Sequence, residues 1–283
     1  MKIYIKEMRI KSWLKNIFIF IPLVFSLELF NMDKLMMAAA AFGAFCLGSS
    51  AIYVFNDICD MSKDALHPVK RTRPIACGAI SKQKAIVFAG LLAVIGCIAG
   101  LAISFLTGLI IIGYIVLNLL YTLWLKHIPI FDCFCIATGF VLRVYAGGGA
   151  SGESVSDWLF LTVVTMSLFM AFGKRRGELI YVGASDGRDV LRWYDMGFVK
   201  GMVFVYAGLS VVFYALWAMN RGSNMIFTVP IIIFIVSEYL LIVHSQDSHG
   251  DPTTIIFEDK SLLSACGIYV VVTILLLYWG GNV

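Results

Sequence analysis

Long apolar runs separated by short polar connections make up nearly all of this chain, and their lengths predict its elements. Runs near residues 17 to 31, 35 to 55, 85 to 105, 107 to 125, 129 to 149, 157 to 173, 197 to 219, 224 to 244 and 262 to 280 qualify as membrane spans, since a helix needs roughly 20 mostly apolar residues to cross a bilayer. The expectation is an all-α polytopic membrane helix bundle of nine transmembrane helices. No stretch has the composition of a soluble domain, a Ser-rich linker or a low-complexity tail, so residues 1 to 283 read as a single transmembrane domain. The opening MKIYIKEMRIKSWLKNIFIFIPLVF has the charged-then-apolar order of a signal peptide, but no small-x-small cleavage site follows it, and we read it as a retained first helix.

Composition agrees: 60% of the 283 residues are hydrophobic and 14% charged, too little polar surface for a soluble fold of this size. The bilayer is therefore the expected surrounding partner, and no nucleic acid is expected. With the N-terminus in the cytoplasm, 19 of the 22 Lys and Arg fall on the cytoplasmic side; Lys34 and Arg221 lie outside, and Arg143 lies within the fifth expected helix. Such a bias predicts an N-in, C-out protein of the inner membrane with its working face in the cytoplasm. The seven Cys include no C-x-x-C pair, and the expectation for them is small buried apolar residues.

The cytoplasmic connections after the second and sixth helices are long and dense in both signs of charge. They follow helices four apart, as in two pseudo-repeated halves facing a common cavity. In the first, FNDICDMSKDALHPVKRTRP (55 to 74), Asp57, Asp60 and Asp64 are spaced by three and four residues and share one face of a continuing helix. Asn56 adds a neutral oxygen. Carboxylates this close need a cation among them, and an all-oxygen set suits magnesium, which commonly keeps waters and binds a diphosphate as well. Lys70, Arg71 and Arg73 follow, with His67-Pro68 bending the chain between, so the loop can fold back over whatever the acids hold. Acids plus cations read as a metal-diphosphate site.

N-D-x-x-D-x-x-x-D at 56 to 64, at the end of the second helix, resembles the first aspartate motif of the UbiA superfamily of intramembrane prenyltransferases, in which it binds magnesium and a diphosphate. R-x-K-x-W-x-K-N (9 to 16), D-x-x-H-P-x-K-R-x-R-P-I-A-x-G (64 to 78), L-Y-x-x-W-L-K-H-x-P (120 to 129), G-F-x-L-R-x-x-A-G-G (139 to 148), G-K-R-x-x-E-L (173 to 179) and G-D-P-T near 250 together resemble the decaprenyl-phosphate phosphoribosyltransferase branch. Where aromatic-acceptor members carry a second Asp-rich motif, this chain has Lys174-Arg175-Arg176 and Glu178, with Asp186 and Asp189 further on. That cluster suits direct phosphate binding, although Lys174 and Glu178 at i and i+4 could also pair with each other.

The resemblance implies phosphoribosyl diphosphate and a polyprenyl phosphate as substrates and Mg2+ as cofactor. Asn56, Asp57, Asp60 and Asp64 are the expected metal site and Lys70, Arg71 and Arg73 the diphosphate cations. Lys15, Tyr121, Lys126, Arg143, Lys174, Arg175 and Glu178 are the remaining substrate candidates. Arg143 stands out because a charge within a span is costly and usually functional. Asp132, eleven residues earlier, is too distant to pair with it. Glu238 has no assigned role, Asp251 and Asp259 either border the site or solvate a loop, and a homo-oligomer stays open. Two rival readings are prenyl transfer from a prenyl diphosphate to an aromatic or other acceptor, and a transporter or channel with an acidic cation site; the one-sided charge argues against the second.

Overall fold

The computed structural model describes residues 2–66, 70–181, 189–244 and 259–279. Eleven α-helices account for most of them: α1 (Lys2–Glu7), α2 (Ile21–Phe25), α3 (Met32–Cys59), α4 (Met61–Leu66), α5 (Lys82–Ile103), α6 (Phe105–Leu123), α7 (Phe131–Ser151), α8 (Asp157–Tyr181), α9 (Met196–Arg221), α10 (Val229–His244) and α11 (Lys260–Trp279). Among the described residues there is no strand, and eight helical stretches are long and apolar enough to cross a membrane. The protein is an all-α, multi-span membrane protein.

The first expected span takes another form. Residues Ile10–Phe20 make a 3-10 helix, and Pro22, which has no N–H to donate, sits in the first turn of the short α2. The 3-10 segment carries a polar row into the core: Asn16 is fully buried, its amide donating to Cys46 Sγ at 3.1 Å and Ser49 Oγ at 3.2 Å.

Packing divides the chain into two compact units: residues up to Leu125 with Leu142–Ser154, and Lys126–Val141 with Val155 onward. In the first, α3 lies against α5 through small residues. A Cβ added at Gly96 would meet the carbonyl oxygen of Ala44 and the nitrogen of Gly48, each at 3.0 Å, so close backbone approach requires glycine there. Its core gathers Ile19, Ala41, Phe45, Ile52, Ile111, Tyr114 and Ala146. Ser104 breaks α5 from α6, receiving the Thr107 N–H at 3.0 Å and donating to Gly149 O at 2.9 Å. In the second unit α8 packs on α9, burying Leu168, Phe169, Phe172, Val199 and Val203. Asp195 and Asp259 open α9 and α11 by accepting from Phe198 N and Leu262 N.

Exposed apolar rows such as Ile86, Val87, Leu91, Val94 and Ile98 on α5 are the faces a bilayer covers. Lys34, an exception to the cytoplasmic sorting, is neutralised by Glu28 and Glu153 at 3.0 and 2.6 Å. The cysteines depart from expectation in part: Cys46, Cys133 and Cys135 are buried, but Cys59 and Cys77 are exposed, because Cys59 closes α3 at its polar end and Cys77 lies in the polar connection beyond.

Candidate active site

The acidic motif lies where α3 gives way to α4. Asp60 occupies the junction, its N–H bonded to Asn56 O at 2.9 Å and its carbonyl accepting from Asp64 N at 2.8 Å, so helical register survives the break. Asp57 and Asp64 are therefore on one side, both nearly fully buried, whereas Asp60 is half exposed. Arg73 joins the two buried acids: its Nη1 lies 3.0 Å from Asp57 Oδ1 and 2.5 Å from Asp64 Oδ2. Arg9 also donates to Asp57 Oδ1, and its guanidinium lies over the Tyr53 ring at 5.3 Å. Arg73 thus separates from Lys70 and Arg71, with which the sequence groups it: those two are exposed on the 3-10 turn Lys70–Thr72.

The first segment of the chain closes over this helix end. Lys6 Nζ donates to Thr72 O at 3.2 Å, Ser50 Oγ to Met8 O at 2.9 Å and Trp13 Nε1 to Ser50 Oγ at 3.0 Å. Glu7, which no motif marks, is buried beside Asp57, and burial, followed by the Asp57 charge and their shared hydrogen bond, pushes its carboxyl up to about 7. Arg9 and Trp13 belong to the opening motif and could have been found from it; Glu7 could not, because nothing local distinguishes it from a solvated acid.

The donors at 56 to 64 fit a hard divalent cation. All are oxygens, and Asn56 Oδ1 is buried without a hydrogen-bond partner, an acceptor held away from water as metal ligands are. Among the described residues no three His, Cys, Asp or Glu are gathered around one point in metal-holding geometry. Arg73 sits between two of the acids instead.

Arg143, the charge inside a span, is buried within the first unit. Its Nε donates to Asn16 Oδ1 at 2.8 Å and its Nη2 to Tyr114 Oη at 3.0 Å, and its guanidinium lies 4.8 Å from the Tyr114 ring and 5.1 Å from that of Phe45. Neutral oxygens and aromatic faces thus lie against the charge. Lys15, one residue before Asn16, and Tyr121, on the last turn of α6, are half exposed.

In the second unit the Lys174–Glu178 stretch closes α8. Glu178 accepts from Arg175, three residues away, a guanidinium partner that the i, i+4 spacing of Lys174 does not reveal. Arg175 is fully buried, and its Nε lies 3.0 Å from Oδ2 of the equally buried Asp132. Tyr194 Oη donates to Asp132 Oδ1 at 2.6 Å and accepts from Ile130 N at 2.7 Å. Asp132 is thus no partner of Arg143, as its spacing predicts, but of Arg175, whose distance in sequence conceals the pair. Arg176 donates to the carbonyls of Val243 and His244, capping the end of α10. Lys126 and Lys174 are half exposed, as is Glu238. His67, Pro68, Asp186 and Asp251 lie outside the described residues, as does the side chain of Asp189.

Residues 18–258 match the model of the UbiA prenyltransferase family, and the chain belongs to that family: it is a membrane-embedded transferase. It is 35% identical over 275 residues to the decaprenyl-phosphate phosphoribosyltransferase of Corynebacterium glutamicum, covering 91% of this chain and 81% of that one. It is 34% identical over 223 residues to the protein of that name from Mycolicibacterium smegmatis, covering 77% and 70%. Among solved structures, a UbiA homolog from Archaeoglobus fulgidus bound to DMAPP and Mg2+ superimposes with a TM-score of 0.77 at 16% identity, covering 98% of this chain and 99% of that one.

Proposed function

We propose that this protein transfers a 5-phosphoribosyl group from phosphoribosyl diphosphate to a polyprenyl phosphate of decaprenyl type, with release of diphosphate, at the cytoplasmic face of the inner membrane. The observation that carries this reading is the asymmetry of the two charged clusters. The acids at 57 to 64 and the partly open Arg73 suit a metal-bound diphosphate, whereas the end of α8 presents the half-exposed Lys174, beside the buried Arg175 and Arg176, in place of a second set of carboxylates. One metal site with surplus cations matches a substrate pair bearing a diphosphate and two further phosphates. The names of the two relatives support it, and the cation bias supports the cytoplasmic face.

Asn56, Asp57, Asp60 and Asp64 would hold magnesium, which supplies charge neutralisation to the departing diphosphate. Arg73, Lys70 and Arg71 would bind the diphosphate oxygens directly. The C1–O bond of the ribose breaks toward an oxocarbenium-like carbon, the diphosphate carries away the electron pair, and an oxygen of the lipid phosphate bonds to C1. That phosphate is already anionic, so no general base is required. Lys126, Lys174 and Lys15 steer the 5-phosphate and the lipid phosphate, with Tyr121 as a hydrogen-bond donor. Rate enhancement then rests on positioning and on electrostatics in a water-poor site.

The test is detergent-purified protein given labelled phosphoribosyl diphosphate, Mg2+ and a polyprenyl phosphate, beside Asp60→Ala and Lys174→Ala. The expected result is a labelled lipid from wild type alone, abolished by a chelator. Consumption of a prenyl diphosphate with an aromatic acceptor, and no labelled lipid at any chain length, would overturn the reading.

A further inference from the structure

The two units carry the same motif of charges in opposite states of access. In the first, Arg73 bridges Asp57 and Asp64 with 28% of its side chain exposed. In the second, Arg175 bridges Asp132 and Glu178, and neither it nor Asp132 has any exposure. An accessible guanidinium can turn to an arriving phosphate. A sealed one cannot, because a phosphate would have to displace Asp132, a carboxylate already out of water, and leave it buried without its cation.

We propose that Arg175, together with Asp132 and Tyr194, is a positioning residue for the transfer: a resident cation that shapes the phosphate-binding side of the second unit without touching phosphate. This rests on the reading above for the identity of the substrate alone.

The connections lead to two backbone stretches that carry candidate phosphate cations. Arg175 adjoins Lys174 on α8. Through Asp132, Tyr194 reaches the N–H of Ile130, whose φ of +70° is a conformation that β-branched residues avoid. That turn follows directly on the 3-10 turn bearing Lys126. Holding Ile130 there aims the Lys126 turn, and holding Arg175 fixes the last turns of α8. One buried network thus sets both.

The first measurement uses wild-type protein: phenylglyoxal modification of arginines, mapped by mass spectrometry with and without phosphoribosyl diphosphate and, separately, inorganic diphosphate. Arg73 should be modified and then protected by either compound, and Arg175 should stay unmodified in all three arms. Modification of Arg175 that substrate prevents would overturn the proposal. The arm without added compound stands whatever the donor proves to be, and there Arg175 reacting as fast as Arg73 would also overturn it. The second measurement compares Arg175→Gln, Asp132→Asn and the double variant. Each single change should raise KM for phosphoribosyl diphosphate about tenfold with kcat within about threefold, the double should be no worse than either, and Arg175→Lys should recover most of the loss. A double variant near a hundredfold, the product of the singles, means that Arg175 contacts substrate independently.

Discussion

Arg143 and Asn16, 127 residues apart, meet in the core of the first unit, the guanidinium Nε donating to the amide oxygen at 2.8 Å. Asn16 in turn donates to Cys46 and Ser49, so one polar chain joins the 3-10 segment, α3 and α7. Asn16→Ala should cost about 1.5–3 kcal/mol, the usual worth of a hydrogen bond to a charged group. Thermal unfolding in detergent reads it. A midpoint equal to wild type would mean that the guanidinium does not depend on Asn16.

Gly147 allows the backbone of the 3-10 segment to lie against α7. A Cβ there would stand 1.8 Å from the carbonyl oxygen of Ile19, and backbone on both sides cannot yield. Gly147→Ala should abolish folded, detergent-stable protein. Gly113→Ala, where nothing lies within 4 Å, should be neutral or stabilising by up to about 1 kcal/mol through helix propensity. Size-exclusion yield of the two variants decides it.

Arg73→Gln removes the group that separates Asp57 from Asp64, so the two buried carboxylates then repel. Added Mg2+ should therefore raise the melting midpoint of the variant by more than it raises that of wild type, while a chelator should lower the variant's midpoint further. No Mg2+ shift in either protein would refute a cation site at these acids.

Glu7 makes stability fall with rising pH. Its ordinary value is 4.5 and its folded value about 7, so between these the folded chain keeps a proton that the unfolded chain has lost. Protons bound in excess by the folded state mean a negative slope of stability against pH across that interval, with the full contribution present below 4.5 and lost as pH passes 7. Glu7→Gln should flatten the slope in metal-free buffer. An unchanged slope from pH 5 to 7 would assign it to other groups.

Much of this protein can be read along the chain, because the local signals are strong. Eight of the nine apolar runs coincide with helices long enough to span, the two charge-dense connections are evident, and the spacing of Asp57, Asp60 and Asp64 places them on one helical face, all through periodicity and length, which act between near neighbours. What tertiary structure alone decided is which charges meet. Arg73 joins two acids that its loop merely follows in the chain, Arg143 finds Asn16 and Tyr114, Arg175 finds Asp132 across 43 residues of sequence, and Glu7 is drawn from an exposed-looking amphipathic start into contact with Asp57. The physical reason is the apolar medium. A buried charge must be paired wherever its partner lies in the chain, and only packing brings the partner near.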